Sequence, residues 1–445
     1  MNRRQMLAAS AATAFLPTAL RAQTSPRLLL TGATILGTGP ADVLIEGDRI
    51  QQIGSAIAPN GAEVIDLSGT LLMPGMVDTH WHMWNTIARG MGQTDLGGFA
   101  SSMAPLANIW TPEAAALSVR LALAEAWSSG ITTVHNWAHN IRNPEFAAAE
   151  WEAMREGGIR GIFAYGYPQD LPPEDRMDFA ALRAFRDRFA DMPTLRMGLC
   201  TRGPDRSADG IWQEEWRIAR EMGLPITSHV ASDRKGGAAG NIARMAEGGF
   251  LGPDVQIVHA THATDDDFRR MADHGSPVSI SPWTEMEVGY GIPPVARMAK
   301  AGLAIGLSVD NMVLGGNADM FGVMKVASDL AAGQTERQGA VADAAVLHWA
   351  TAGGAETLGL TDTGRIAPGT LADLVAVRLD AVNTRPASTP EFMVTHAAHP
   401  GNVDTVIAGG IVRKNGGKLI GVDHEALLDE AASMIAHLMR QAGIR

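Results

Sequence analysis

The sequence predicts an α/β fold: a (β/α)8 barrel of the TIM type, with a small β-sandwich built from both ends of the chain. Three observations carry this prediction. Short apolar runs ending at Val77, Val134, Tyr165, Cys200, His229, His259, Ser281 and Asp310 are mostly separated by helix-like stretches. Strand-like pieces punctuated by Gly, Pro, Asp and Asn flank that region on both sides. The chain has 445 residues, 46% of them hydrophobic, which is enough for one large core and a second, smaller one. A doubly wound open sheet is the competing arrangement for the middle.

Residues 1–22 read as a secretory leader. Asn2-Arg3-Arg4-Gln5-Met6 precedes an apolar run to Leu20, and Ala22 offers a small residue for cleavage. The run is too short for a membrane span. Its arginine pair has twin-arginine character, so the mature protein is expected in the periplasm or secreted. The leader holds three arginines and no acid, so its removal takes the formal net charge from −12 to −15. Cys200 is the only cysteine, which excludes an intrachain disulfide even in an oxidising compartment. No basic patch points to nucleic acid or an anionic membrane surface. The expected partner is a small-molecule substrate, with homo-oligomer formation left open.

Residues 27–74 form the N-terminal part of the sandwich, with strand-like pieces at 27–30, 42–45, 49–53 and 63–67. Residues 75–364 form the barrel. One of its helices opens with Thr111-Pro112-Glu113, a capping residue followed by a first-turn proline and an acid, and closes at Gly130. Another opens Thr264-Asp265-Asp266-Asp267, where three acids face the positive end of the helix dipole. Residues 365–420 complete the sandwich through pieces at 373–377 and 405–408, and 421–445 form a C-terminal helix.

The polar residues at the strand ends suggest chemistry. His80 and His82 are one residue apart on a strand, so their rings point to the same side and can grip one ion. His229 and His259 each follow an apolar strand, with His262 an alternative to His259. Asp310 ends the last strand, where a buried, unpaired carboxylate would be costly and a cation would remove the cost. Each of these residues alone reads more readily as a core histidine or a helix-capping aspartate. Their joint placement at one end of successive barrel strands, where barrels keep their chemistry, favours a site.

These residues resemble the amidohydrolase superfamily, in its cytosine deaminase and chlorohydrolase-like branch. The resemblance runs through Pro74-Gly75-Met76-Val77-Asp78-Thr79-His80-Trp81-His82, Gly130-Ile131-Thr132-Thr133-Val134, the strand-end histidines, Ser308-Val309-Asp310, and the segment from Gly364-Arg365-Ile366 to Ala372-Asp373-Leu374. It implies one divalent metal held by His80, His82, His229 and Asp310, with His259 and Asp310 catalytic. Zn2+ suits three nitrogens and a carboxylate, and Fe2+, Ni2+ or Mn2+ fit the same set. Such an ion makes water nucleophilic at neutral pH. Asp310 would then move the proton, and His259 would stabilise developing negative charge. The fourth strand, 195–202, has no lysine to bridge a second metal, so a mononuclear site is expected.

The chain also departs from that branch. Its deaminases carry a Glu three residues after the strand-five histidine, and Ser232 stands there. Glu285, or Glu287, after the seventh strand is the candidate replacement, against a plain surface pair. Trp84, Arg202, Trp283 and Glu285 are the candidate substrate contacts. His135 is a further one, and Trp81, Trp110 and Trp137 lie nearby as wall or packing residues. The expected function is metal-dependent hydrolysis of a C–N bond in an amide, cyclic amide or aromatic amine of a small heterocyclic or aryl substrate. Hydrolytic dechlorination or deamination of a heteroaromatic ring, and a non-catalytic periplasmic binder, are the competing readings.

Overall fold

The computed structural model describes residues 27–444, and the expected leader at 1–22 lies outside them. Eight parallel strands form the central sheet in chain order: β1 (Met76–Trp81), β2 (Ile131–Ala138), β3 (Arg160–Tyr165), β4 (Leu195–Thr201), β5 (Ile226–Val230), β6 (Val255–His259), β7 (Val278–Ile280) and β8 (Ile305–Leu307). All but one of their residues, Arg196, are buried, as expected for a parallel sheet covered by helices. The ring closes between β1 and the segment after β8. Trp81 bridges Asp310; the His82 N–H donates to the Asp310 carbonyl at 2.7 Å, and the Asp310 N–H to that of His80 at 3.0 Å.

Two strands run further than the apolar pattern indicates. β1 continues past Val77 to Trp81 because Trp81 pairs with Asn136 of β2, so His80 lies inside the strand. β2 likewise continues past Val134 to Ala138 through pairing with β3. The predicted helix caps are present: Thr111 accepts from the Ala114 N–H, and Gly130 ends that helix (Pro112–Ser129) at φ 88°. Thr264 and Asp267 cap each other's backbone at the start of Asp265–His274.

The chain ends form two further sheets. Four strands are N-terminal, in the order Arg49–Gly54, Asp42–Glu46, Arg27–Thr31, Glu63–Asp66. In the second sheet Thr70–Pro74 pairs antiparallel with Leu374–Arg378, in a register from Leu374 opposite Pro74 to Arg378 opposite Thr70. Leu28, Leu30, Ile45 and Ile65 share one apolar cluster with Leu374 and Ile407. A buried ion pair ties this unit to the barrel. Arg160 Nε on β3 meets Asp373 Oδ2 at 2.6 Å, while Asp373 also accepts from Thr363 and the Gly409 N–H. The C-terminal helix His424–Ala442 packs on the helices Phe99–Ile109 and Pro112–Ser129. Among the described residues no helix is long and apolar enough to cross a membrane.

Glu150, on the helix Pro144–Gly157, is buried behind β2 and accepts from Asn136 Nδ2 at 3.2 Å. Its other carboxylate oxygen has no partner, and burial pushes its pKa up to about 8. A raised acid pKa means that the folded state holds a proton the unfolded chain gives up above about 4.5. Stability is therefore lost as pH climbs from there to about 8. Glu150→Gln removes the charge without changing shape, so its melting temperature should match wild type near pH 4 and exceed it by several degrees at pH 8.5 in thermal melts. An equal difference at both pH values would show that Glu150 does not titrate in this range.

Candidate active site

Asp78 sets the frame. Its buried carboxylate accepts from the Val309 N–H at 2.8 Å and the His80 N–H at 3.0 Å, joining β1 to the chain after β8. Burial pushes this carboxyl well above the usual range. His80, His82, His229 and Asp310 then converge. His80 Nε2 lies 3.1 Å from His82 Nε2, 3.2 Å from His229 Nε2 and 3.2 Å from Asp310 Oδ1, and His82 Nε2 is 3.3 Å from the same oxygen. Ligands about 2.0–2.1 Å from a tetrahedral ion sit roughly 3.3 Å apart, and the four pairs that link His80 and His82 to each other, to His229 and to Asp310 have that spacing. Hydrogen bonds alone cannot satisfy three ring nitrogens and a carboxylate oxygen pointing at one another. The donors fit a single divalent ion.

Their protonation suits that task. Burial holds His80 below, and His82 and His229 well below, the ordinary histidine range, which leaves the rings neutral. The tautomer of His82 follows from its neighbour. Trp84 Nε1, which can only donate, donates to His139 Nδ1 at 3.0 Å, so that nitrogen is an acceptor. His82 Nδ1, 3.1 Å from it, must then carry the hydrogen, leaving its Nε2 lone pair for the ion. Burial lowers the His139 pKa to about 3, keeping it neutral. Trp137 closes the floor, its ring centroid 4.9 Å from that of His80 and 4.1 Å from that of His229.

His259 stands beside this cluster, Nε2 3.9 Å from Asp310 Oδ2. Its Nδ1–H donates to Glu285 Oε1 at 3.0 Å, so Nε2 is the ring atom left to face Asp310. Glu285 also accepts from the Ser281 N–H and is 0% exposed; burial raises its pKa. His259 and Asp310 hold left-handed backbone angles, φ 72° and 60°. Non-glycine residues adopt such angles at a cost of about 1–3 kcal/mol, and they cluster at functional sites.

A cavity of about 220 Å³ opens over these groups, walled by Trp84, His139, Tyr167, Arg202, Arg206 and Tyr290 among others. Trp84 reaches it, as the sequence suggests. Arg202 reaches it too, but its guanidinium is occupied by the carbonyls of Leu171, Pro172 and Asp175, with Glu215 at 3.9 Å. Trp283 does not line the cavity: its ring turns towards Gly322 on the helix Met320–Thr335. Glu285 faces His259 rather than the cavity, because the helix Pro282–Glu287 carries it behind the ring. Glu287 is exposed. His135 lies deeper in the barrel, its Nδ1 3.2 Å from the Thr79 carbonyl. His262 bonds the Tyr290 carbonyl.

The sequence reading misses His139, Arg206 and Tyr290. His139 had a signal: it directly follows the strand that carries His135, at the end of the barrel where the other histidines stand.

A model of the amidohydrolase family matches residues 71–412. The chain belongs to the amidohydrolase family. A 5'-deoxyadenosine deaminase from Methanothermobacter thermautotrophicus is 28% identical over 92% of this chain and 98% of its own. A 5-methylthioadenosine/S-adenosylhomocysteine deaminase from Nitratidesulfovibrio vulgaris is 26% identical over 90% of each. Among solved structures, an adenosine deaminase from Xanthomonas campestris with bound zinc superposes with a TM-score of 0.85 at 22% identity, covering 93% of this chain and 99% of its own. The atrazine chlorohydrolase of Arthrobacter aurescens, complexed with zinc, gives 0.82 at 19% identity over 92% and 100%. These structures share the fold of this amidohydrolase, a hydrolase of carbon–nitrogen bonds.

Two substitutions separate the roles around this centre. His139→Ala removes the acceptor that orients His82 and should weaken metal binding by about 10–100-fold, measured by competition with a chelator. Glu285→Gln should lower kcat by a similar factor while the metal content stays at the wild-type level. Metal loss in the Glu285 variant would place His259 among the ligands.

Proposed function

We propose that this amidohydrolase uses one zinc ion, held by His80, His82, His229 and Asp310, to hydrolyse the C–N bond of a small aryl or heterocyclic amide or cyclic amide. The observation that carries the reading is the convergence of three neutral Nε2 atoms and Asp310 Oδ1 around His80, each 3.1–3.3 Å from a neighbour, under a small cavity. Zinc is the ion named with both solved relatives. When bound, such an ion lowers the pKa of water and polarises the scissile group.

The side chains supply the rest. Asp310 Oδ1 points at His80 and His82, which leaves Oδ2 to take a proton and return it to the leaving nitrogen. His259 Nε2, aimed by Glu285, faces the place where negative charge develops. Trp84, Tyr167 and Tyr290 offer flat walls to an aryl or heterocyclic ring.

Ser232 favours amides over nucleobases. It stands where deaminases of this branch carry the Glu that protonates a ring nitrogen, and Glu285 is turned to His259, so neither supplies that proton. Deamination is the second reading, favoured by the names of the relatives. The proposal includes export through the twin-arginine leader to the periplasm, supported by Arg3-Arg4 and the apolar run after them. Undiminished export of a reporter fusion carrying Arg3→Lys and Arg4→Lys would refute that route.

Purified protein should hold one equivalent of metal by elemental analysis. His80→Ala should lose metal and activity together, whereas His259→Ala should lose activity and keep most of the metal. Two equivalents, both needed for turnover, would refute the single-ion site. Rapid ammonia release from cytosine, guanine or adenosine would overturn the preference for amides.

A further inference from the structure

Arg206 is a cation without a counter-ion in the cavity wall. It ends the short helix Gly203–Arg206 that follows β4, and its side chain is exposed where it lines both the cavity over the histidines and a neighbouring one. Its Nη2 donates to the Tyr290 hydroxyl at 3.1 Å. Among the described residues no carboxylate comes within ion-pair distance of it. The adjacent Asp205 is engaged elsewhere: its carboxylate accepts from the Ala231 N–H at 2.7 Å and from Asn241 Nδ2 at 2.8 Å. Arg202, by contrast, is held by backbone carbonyls and Glu215.

Two further facts point the same way. Ser232 puts a buried, unpartnered hydroxyl where the related deaminases place a carboxylate, and Ser232 and Arg206 line the same neighbouring cavity. Asp310 is the carboxylate that lines the active cavity; Glu285 is turned to His259, and Asp205 to Ala231 and Asn241. The Arg206 guanidinium is thus left in the wall without an ion-pair partner, and a neutral substrate would leave it so. Tyr290 accepts from Arg206, so its own O–H remains to donate to an anion. One guanidinium and one phenol match the two oxygens of a carboxylate; a phosphate dianion with three oxygens calls for more donors.

We propose that the substrate of this enzyme carries a carboxylate, bound by the Arg206 guanidinium and the Tyr290 hydroxyl, so that the enzyme acts on small amides bearing an acid group. The proposal rests on the hydrolase reading for its chemistry, and the site itself can be tested without turnover. The probes are benzoate and benzamide, titrated calorimetrically into the metal-loaded protein, together with hydrolysis of N-benzoylglycine and N-benzoylglycinamide. Wild type should bind benzoate about tenfold or more tightly than benzamide and prefer the acid as substrate. Arg206→Met should weaken benzoate binding about tenfold and lose the preference for the acid substrate, and Arg206→Lys, which keeps the charge but loses the fork, should retain part of each. Any benzoate held by the ion alone is common to all three proteins, so the difference isolates Arg206. Benzoate binding unchanged in Arg206→Met overturns the inference. Hydrolysis of both amides without preference for the acid overturns it too, and leaves the hydrolase reading intact. Preference for benzoate with no hydrolysis of any amide supports the carboxylate site and overturns the hydrolase reading instead.

Discussion

The site depends on the seam where the first barrel strand meets the last. A strand ladder joins every other neighbouring pair, but this seam is held by two backbone hydrogen bonds between the His80–His82 stretch and Asp310, and by the Asp78 carboxylate between them. The contacts that close the barrel are therefore the ones that bring three of the four ligands together. A carboxylate buried this deeply is tolerated because two backbone N–H groups point at it. A shift in the seam would move His80, His82 and Asp310 relative to His229, which hangs from the opposite side of the ring on β5.

Burial does the second part of the work. An imidazole in water near neutral pH spends part of its time protonated, and a protonated ring cannot bind a cation. Here desolvation favours the neutral form of every ligand histidine, and the Trp84–His139–His82 chain decides which nitrogen of one ring carries the hydrogen. For His82 the ligand atom is thus chosen before any ion arrives, which is preorganisation by hydrogen bonding rather than by charge.

Much of this was legible in the sequence, because a parallel barrel writes its pattern locally. Apolar strand, polar end and capped helix recur, and His80, His82, His229, His259 and Asp310 each lie at or just past the end of a buried strand. What was not legible depends on distance in the chain or on backbone direction. Trp283 was two residues from the predicted strand end at Ser281, but the proline-started helix that follows turned it towards Gly322. Glu285, on the same helix, came to face a histidine 26 residues away. Arg206 looks like any surface arginine until the fold shows that Asp205 is committed to Ala231 and Asn241. His139 lay beyond the apolar run, in the turn just after β2, which itself runs past its hydrophobic stretch.

The pairing of Thr70–Pro74 with Leu374–Arg378 also bears on how the protein is made. On the ribosome the first of these strands emerges roughly 300 residues before the second, a wait of about 15–60 s at ordinary synthesis rates. Through that interval one edge of an apolar strand stands open, and open edges recruit other chains. The nascent barrel grows beside an incomplete sheet, and the Arg160–Asp373 link forms only when the late segment arrives. Slow synthesis would lengthen this exposed stage and high expression would crowd it, so the timing of the C-terminal strands bears on the yield of soluble protein, as does the final stability of the fold.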